Sequence, residues 1–209
     1  MSTQLCMSEI SRAEHSTFYS QNCSLSSLTK IDDVLVELGL EKNNIPDSLI
    51  IDRNAQTHLS SDLNEQSAII PKILTTNDLD QYKSWIGRDD AGIDNTQWIL
   101  PTAPWEKRAI SDFKELTTEE KENIEKAGWV YLFGNSTLVK SYREIIEFSN
   151  APFEVAIYAA RKVTIRSGSS LIVSGTPAIL LFEELNIHLP GDLQIYTVCH
   201  AKIGTLQSK

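Results

Sequence analysis

Long apolar runs, paired cysteines, an excess of positive charge and a phosphate-binding glycine loop are all missing from this sequence. No stretch approaches the roughly 18 to 20 apolar residues that cross a bilayer, so a membrane is not an expected partner. Residues 1–11 have neither the basic start nor the apolar centre of a secretory signal. The expectation is a soluble, cytoplasmic protein, with export by a route that cleaves no signal left open.

Cysteine is scarce. Cys6, Cys23 and Cys199 are odd in number and none belongs to a CxxC pair, which argues against a disulfide framework. Cys199-His200 with His188 would supply three metal ligands, whereas structural zinc sites use four at recognisable spacing. A small packing thiol fits Cys199 better. No cofactor is expected. The turn Gly134-Asn135-Ser136-Thr137 has one glycine and no following lysine, so it matches neither a dinucleotide nor a Walker pattern. Asn135 or Ser136 reads there as an ordinary helix N-cap.

The net charge is −9 over 209 residues, and it is unevenly placed. Residues 1–100 carry 7 Lys/Arg against 15 Asp/Glu, and residues 101–209 carry 12 against 13. An acidic first half repels phosphate backbones, so nucleic acid is not an expected partner.

What is present is an internal echo. Shifted by 22 places, Ile157 falls on Ile179, Ile165 on Ile187 and Leu171 on Leu193. Ala159 falls likewise on Leu181, Val163 on Leu185 and Val173 on Ile195. Self-similarity at such a period marks a coil that climbs and stacks on itself. Each unit holds three short strand-like pieces whose apolar residues stand two apart, both expected inward. Ala201 and Ile203 begin a third turn. Corner residues separate the pieces: Ser167-Gly168-Ser169, Ser174-Gly175-Thr176-Pro177 and Leu189-Pro190-Gly191-Asp192. The same shift sets Arg161 on Glu183 and Lys162 on Glu184, opposite charges where like charges would repel. Arg166 on His188 extends a polar strip.

Upstream, residues 1–30 hold 11 Ser or Thr and few large apolar side chains, the composition of a mobile tail. Helical spacing of Ile31, Val34, Leu35 and Leu38 is followed by a strand over Ser48 to Ile51. A helix over 57–74, broken by Pro71, and a short one from Asp78 to Ile86 come next. Thr117 and Glu120 form a capping box, and Gly128 reads as that helix's stop. Trp129 to Phe133 then reads as a strand. A helix bearing Leu138, Val139, Tyr142, Ile145 and Ile146 on one face follows, then a strand from Phe153. Strand, helix, strand makes a βαβ unit with a right-handed crossover.

The expected fold is therefore α+β: a Ser/Thr-rich tail (1–30), a mainly helical or irregular acidic region (31–115), and a βαβ unit running into a short three-sided parallel β-helix of about two 22-residue coils (116–209). One coil alone buries too little to stand, so both ends need a cap. The βαβ unit serves one end. The other has only residues 204–209 and invites a second copy or another protein partner.

Two functions follow. The first is a non-catalytic structural or interaction protein that docks through the open C-terminal solenoid end. The second is a carbohydrate-binding or carbohydrate-active protein. The second would use the carboxylates Asp89, Asp90 and Asp94, the aromatic platforms Trp98 and Trp105, and Arg166 or His188 on the strip. The carboxylate loop Arg88 to Asn95 lacks the spacing of a calcium-binding helix–loop–helix and reads as a solvated turn.

Overall fold

Residues 31–41, 45–90 and 116–209 are described in this computed structural model. They form two compact units, one from the described residues between 31 and 74 together with 155–209, the other from 75–90 together with 116–154. The fold is mixed α and β with parallel sheets.

The first unit is built on strands β1 (Ser48–Ile51), β2 (Gln56–Ser60), β3 (Lys72–Thr76), β4 (Phe153–Ile165), β5 (Ser170–Ser174), β6 (Ala178–Ile187), β7 (Asp192–Ile195) and β8 (Cys199–Ser208). One sheet runs β1-β4-β6-β8, with β3 also paired to β4, and a second runs β2-β5-β7. The ladders β1–β4, β4–β6, β6–β8, β2–β5 and β5–β7 are all parallel.

The register carries the repeat. Ile157 pairs with Ile179, Val163 with Leu185 and Ile165 with Ile187, while Leu171 pairs with Leu193, each a step of 22. Between β6 and β8 the step is 21, as Ala178 pairs with Cys199. A further level precedes these. Ser48 pairs with Lys162 and Gln56 with Ser170, both steps of 114. The β1–β2 segment is thus another copy of the repeat, separated from the rest by 92 additional residues. About two levels were expected, and β1 and β2 pair in parallel with β4 and β5 as a further level.

The first two pieces of each repeat are halves of one continuous strand, β4 or β6. The ladder passes over Arg161 and Glu183, pairing Ala160 with Phe182 and then Lys162 with Glu184. Side chains alternate along a strand, so inward residues an odd number apart require an interruption of this kind. The buried core contains Ala156, Tyr158 and Ala160, then Val163 and Ile165; in β6 it contains Ala178, Leu180 and Phe182, then Leu185. This corrects the expected inward set. Ile157, Ala159, Ile179 and Leu181 are buried too, but on the opposite face of their strands.

Three corner positions use left-handed backbone. Gly175 has φ +93°, Gly168 has φ +75° and Asn54, at the same place as Gly168 one level earlier, has φ 58°. Asparagine is among the few residues other than glycine that tolerate this region.

Helix α1 (Ile31–Glu37) buries Ile31, Val34 and Leu35, with Asp32 and Asp33 in its first turn. The second unit holds α2 (Leu79–Ile86), α3 (Thr118–Phe133), a 3₁₀-helix (Ser136–Tyr142) and α4 (Arg143–Asn150). The capping box of Thr117 and Glu120 is formed. Gly128 does not stop α3, which continues to Phe133 and is closed by Gly134, whose N–H bonds to Val130 O. Glycine inside a helix costs about 1 kcal/mol. Burial of Ile124, Ala127, Val130 and Tyr131 on one face offsets that cost. Trp129 to Phe133 is therefore helix, so the strand expected there to open a βαβ unit is not formed. In the following helices Val139, Tyr142, Ile145 and Ile146 are buried as expected, while Leu138 is exposed.

The expected helix over 57–74 is also replaced, by β2 and β3. Thr57 and Leu59 alternate in register with Leu171 and Val173, so ladder pairing over a step of 114 decides the local conformation.

Candidate functional site

The charged column on the long strands forms as expected. Arg161 lies 2.9 Å from Glu183 and Lys162 lies 3.0 Å from Glu184. Arg161 also reaches Asp32 at 3.5 Å and Asp47 at 3.7 Å. Asp47 is Arg161's counterpart one level earlier, so charge alternates from level to level. Lys162 and the amide of Asn186 both donate to Glu184, and these bonds lower its pKa. Arg166 does not extend a strip with His188. It pairs with Asp52, 2.9 Å away at the preceding level, because opposite charges attract. His188 is exposed, and its backbone N–H bonds to Ile165 O.

The two ends of the stack differ. Beside β2 the chain doubles back. Ala68 N–H donates to His58 O at 2.8 Å, and Ser60 N–H donates to Ser67 Oγ at 3.2 Å. Ile69 from this segment enters the core. Edge groups of β2 and the apolar end beneath it are thereby covered, the usual remedy for a strand edge. β7 and β8 are the last strands of their sheets among the described residues. Exposure along one inward column rises towards them: Val163 is 0% exposed, Leu185 1% and Leu206 50%. Leu189 and Tyr196, near the same end, are 61% and 68% exposed.

The segment that covers β2 also walls a depression of about 490 Å3, lined by residues that include Gln56, Thr57, His58, Glu65, Gln66 and Ser67. Hydrogen bonds from the Ser60 and Ser174 hydroxyls hold the Glu65 carboxyl below its ordinary pKa, with His58 adding attraction. Ser174 Oγ donates to Glu65 Oε2 at 3.0 Å. Burial pushes the Tyr158 hydroxyl's pKa up to about 12, and His58 Nδ1 is buried without a hydrogen-bond partner. Polar atoms left in this state are uncommon in folded proteins. Composition gave no hint of this cluster, because Thr57, His58 and Glu65 to Ser67 were read as part of a helix and Ser174 as a corner.

In the helical unit, Arg143 contacts Asp80 at 2.6 Å, Glu147 at 3.0 Å and Asp78 at 3.1 Å. Tyr131 donates to Asp80, and Leu79 N–H donates to Glu147. The cluster ties α2, α3 and α4 together.

Of the carboxylates proposed for catalysis, Asp90 is engaged in hydrogen bonds. Asp90 accepts from Lys83 at 2.5 Å, from Ser136 N–H at 2.9 Å and from the Ser136 hydroxyl at 2.8 Å. Its pKa falls to about 2, chiefly through the Lys83 bond and then the Ser136 N–H. Asp90 thus occupies the start of the 3₁₀-helix where an anion would sit, while Asn135 caps it by accepting from Thr137 N–H. Asp89 is exposed. Asp94, Trp98 and Trp105 lie outside the described residues, as do the Ser/Thr-rich segment, Cys6 and Cys23. Cys199 is in no disulfide among the described residues. Among the described residues no group of three His, Cys, Asp or Glu side chains is placed to hold a metal, and no helix is long and apolar enough to cross a membrane.

Comparison with protein-family models, with curated proteins and with solved structures finds no match.

Proposed function

We propose that the strands wind as a short β-solenoid into which a helical unit is spliced, and that the protein is a non-catalytic structural or interaction protein. Its C-terminal end docks a second copy of the same chain. The observation that carries this reading is the difference between the two ends. One is plugged by Ile69 and its segment, while at the other the column Val163, Leu185, Leu206 runs out into solvent. An apolar core that ends half-exposed gains by being covered, at about 25 cal/mol per Å2.

A second copy fits the rim better than an unrelated partner. Asp192 stands near one sheet's last strand, and Lys202 and Lys209 near the other's, all exposed. A two-fold interface needs each patch to complement itself, which a rim of both signs allows. A rim of one sign would select a foreign partner of the opposite sign.

Sedimentation and native mass measurement test the docking. The expected result is a dimer that Leu206→Glu converts to monomer without loss of strand signal in circular dichroism. Wild-type protein that stays monomeric at every accessible concentration overturns the docking. Experimental coordinates in which Ile165 lies far from Ile187 overturn the winding.

A further inference from the structure

We infer that a second copy docks by laying its β8 antiparallel to this β8, about a two-fold axis between Gly204 and Thr205. The pairing rests on the docking proposed above and specifies which groups meet. Ile203 lies opposite the partner's Leu206, Gly204 opposite the partner's Thr205 and Lys202 opposite the partner's Gln207.

The backbone of β8 dictates this register. Among the described residues β8 is the last strand of its sheet, so one side of it is an open edge. Successive residues in a parallel ladder turn their N–H and C=O to alternate sides. Lys209 N–H donates to Ile187 O at 3.0 Å, and Lys209 O accepts from Leu189 N–H at 2.9 Å. Alternation from Lys209 turns Gln207 and Thr205 towards β6, and Ser208 and Leu206 towards the open edge. At the strand's start, Ala178 N–H donates to Val198 O at 2.8 Å. Alternation from Val198 turns Lys202 and Gly204 towards β6, and Ile203 towards the open edge. Gly204 and Thr205 are neighbours that face the same side, so the alternation slips between them. The same slip is visible in β4, where Arg161 N–H and Lys162 N–H both donate to the preceding level, at 3.0 and 3.2 Å.

This slip selects the partner. A strand of unbroken alternation stays in phase with β8 on one side of the slip and falls out of phase on the other. β8 turned end for end carries the slip at the same place, because Ile203 and Leu206 flank it symmetrically. Each then meets the other's copy as a pair that exchanges both N–H···O bonds. Side chains of opposed residues point to one face, so Ile203, which packs on the core, covers the partner's half-exposed Leu206. Charge agrees with this placement. The outward column carries Arg161 and Lys162, then Glu183 and Glu184, and ends in uncharged Gly204 and Thr205. A two-fold axis brings each residue beside it close to its own copy, so a charge there would repel itself.

The test uses the full chain with Cys6, Cys23 and Cys199 replaced by serine. Lys202→Cys chains are mixed with Gln207→Cys chains and oxidised. These two positions oppose each other as a non-hydrogen-bonded pair, about 4.5 Å between Cα atoms and within disulfide reach. The mixture is expected to cross-link. Either variant alone is not, since two copies of one position lie about 17 Å apart. Hydrogen exchange on the unaltered chain gives a readout free of substitutions. From dilute to dimeric protein, exchange at the Ile203 and Leu206 amides is expected to slow more than about tenfold, and at the Gln207 amide much less. A dimer that cross-links with Lys202→Cys alone, or not at all, overturns the pairing and leaves the end docking standing. So does a dimer whose Ile203 and Leu206 amides exchange as fast as in dilute protein. A chain that never dimerises overturns both. Assemblies that lengthen with concentration overturn the two-fold pairing in favour of head-to-tail growth.

Discussion

Truncating the inward column one level at a time measures how the core fades towards the C-terminal end. Leu185 is 1% exposed and sits between Val163 and Leu206. Leu185→Ala removes three carbons and leaves a cavity, a change that costs 2–5 kcal/mol in well-packed cores. Its neighbour Leu206 is half-exposed, so the cavity has one soft wall, and about 3 kcal/mol is expected. Leu206→Ala deletes the same carbons where half the surface is already wet. With full burial of a leucine worth about 1.5–3 kcal/mol, about 1 kcal/mol is expected there. Urea unfolding followed by far-ultraviolet circular dichroism reads the sheets. Tryptophan fluorescence reads elsewhere, since Trp85, Trp98, Trp105 and Trp129 all precede β4. With a slope of about 2 kcal/mol per molar urea, the midpoints move by about 1.5 M and about 0.5 M. If a second copy covers the end, the cost of Leu206→Ala grows with protein concentration, because association stabilises by mass action. Equal costs at both positions in dilute protein would refute the fading core.

Three further outcomes are expected. Asp90 has a depressed pKa, so its stabilising effect is present above the unfolded value of about 4 and is lost as pH falls towards about 2. Asp90→Asn should flatten the acid dependence of tryptophan fluorescence unfolding over that window. Thr117→Ala removes the cap of α3 and should cost about 1 kcal/mol in the same fluorescence assay. A double-mutant cycle on Arg161 and Glu183 should give a coupling below about 1 kcal/mol that shrinks with salt, since both side chains are more than a third exposed.

The parts of the fold visible in the sequence are those whose partners lie close along the chain. A step of 22 is short enough to see, and Ile157, Val163, Ile165 and Leu171 met the residues it assigned them. So did the ion pairs of Arg161 and Lys162. Local chemistry was equally legible at Thr117 with Glu120 and at Asp78, which caps α2 by accepting from Asp80 N–H. The level formed by β1 and β2 was hidden by its step of 114, although Ile51 on Ile165 and Ser60 on Ser174 match at that shift. Without that pairing, Thr57 and Leu59 show no more than weak helical spacing. Gly128 misled for another reason, because one glycine cannot outweigh a buried helical face. Of the candidate site residues, Arg166 was placed on the right column with the wrong neighbour, since Asp52 belonged to the unseen level. The polar depression was invisible because Glu65 and Ser174 are 109 residues apart.

Both sheets absorb the same 92-residue excess between their first and second levels, and neither loses phase. Lengthening a connection costs little, about 0.6 kcal/mol for each doubling, provided its ends leave and return at neighbouring strands. Under the proposed winding, the stack acts as a chassis indifferent to its cargo. Deleting the helices and rejoining β3 to β4 through a short turn should leave a free-standing stack, and other small domains could be carried at the same junction.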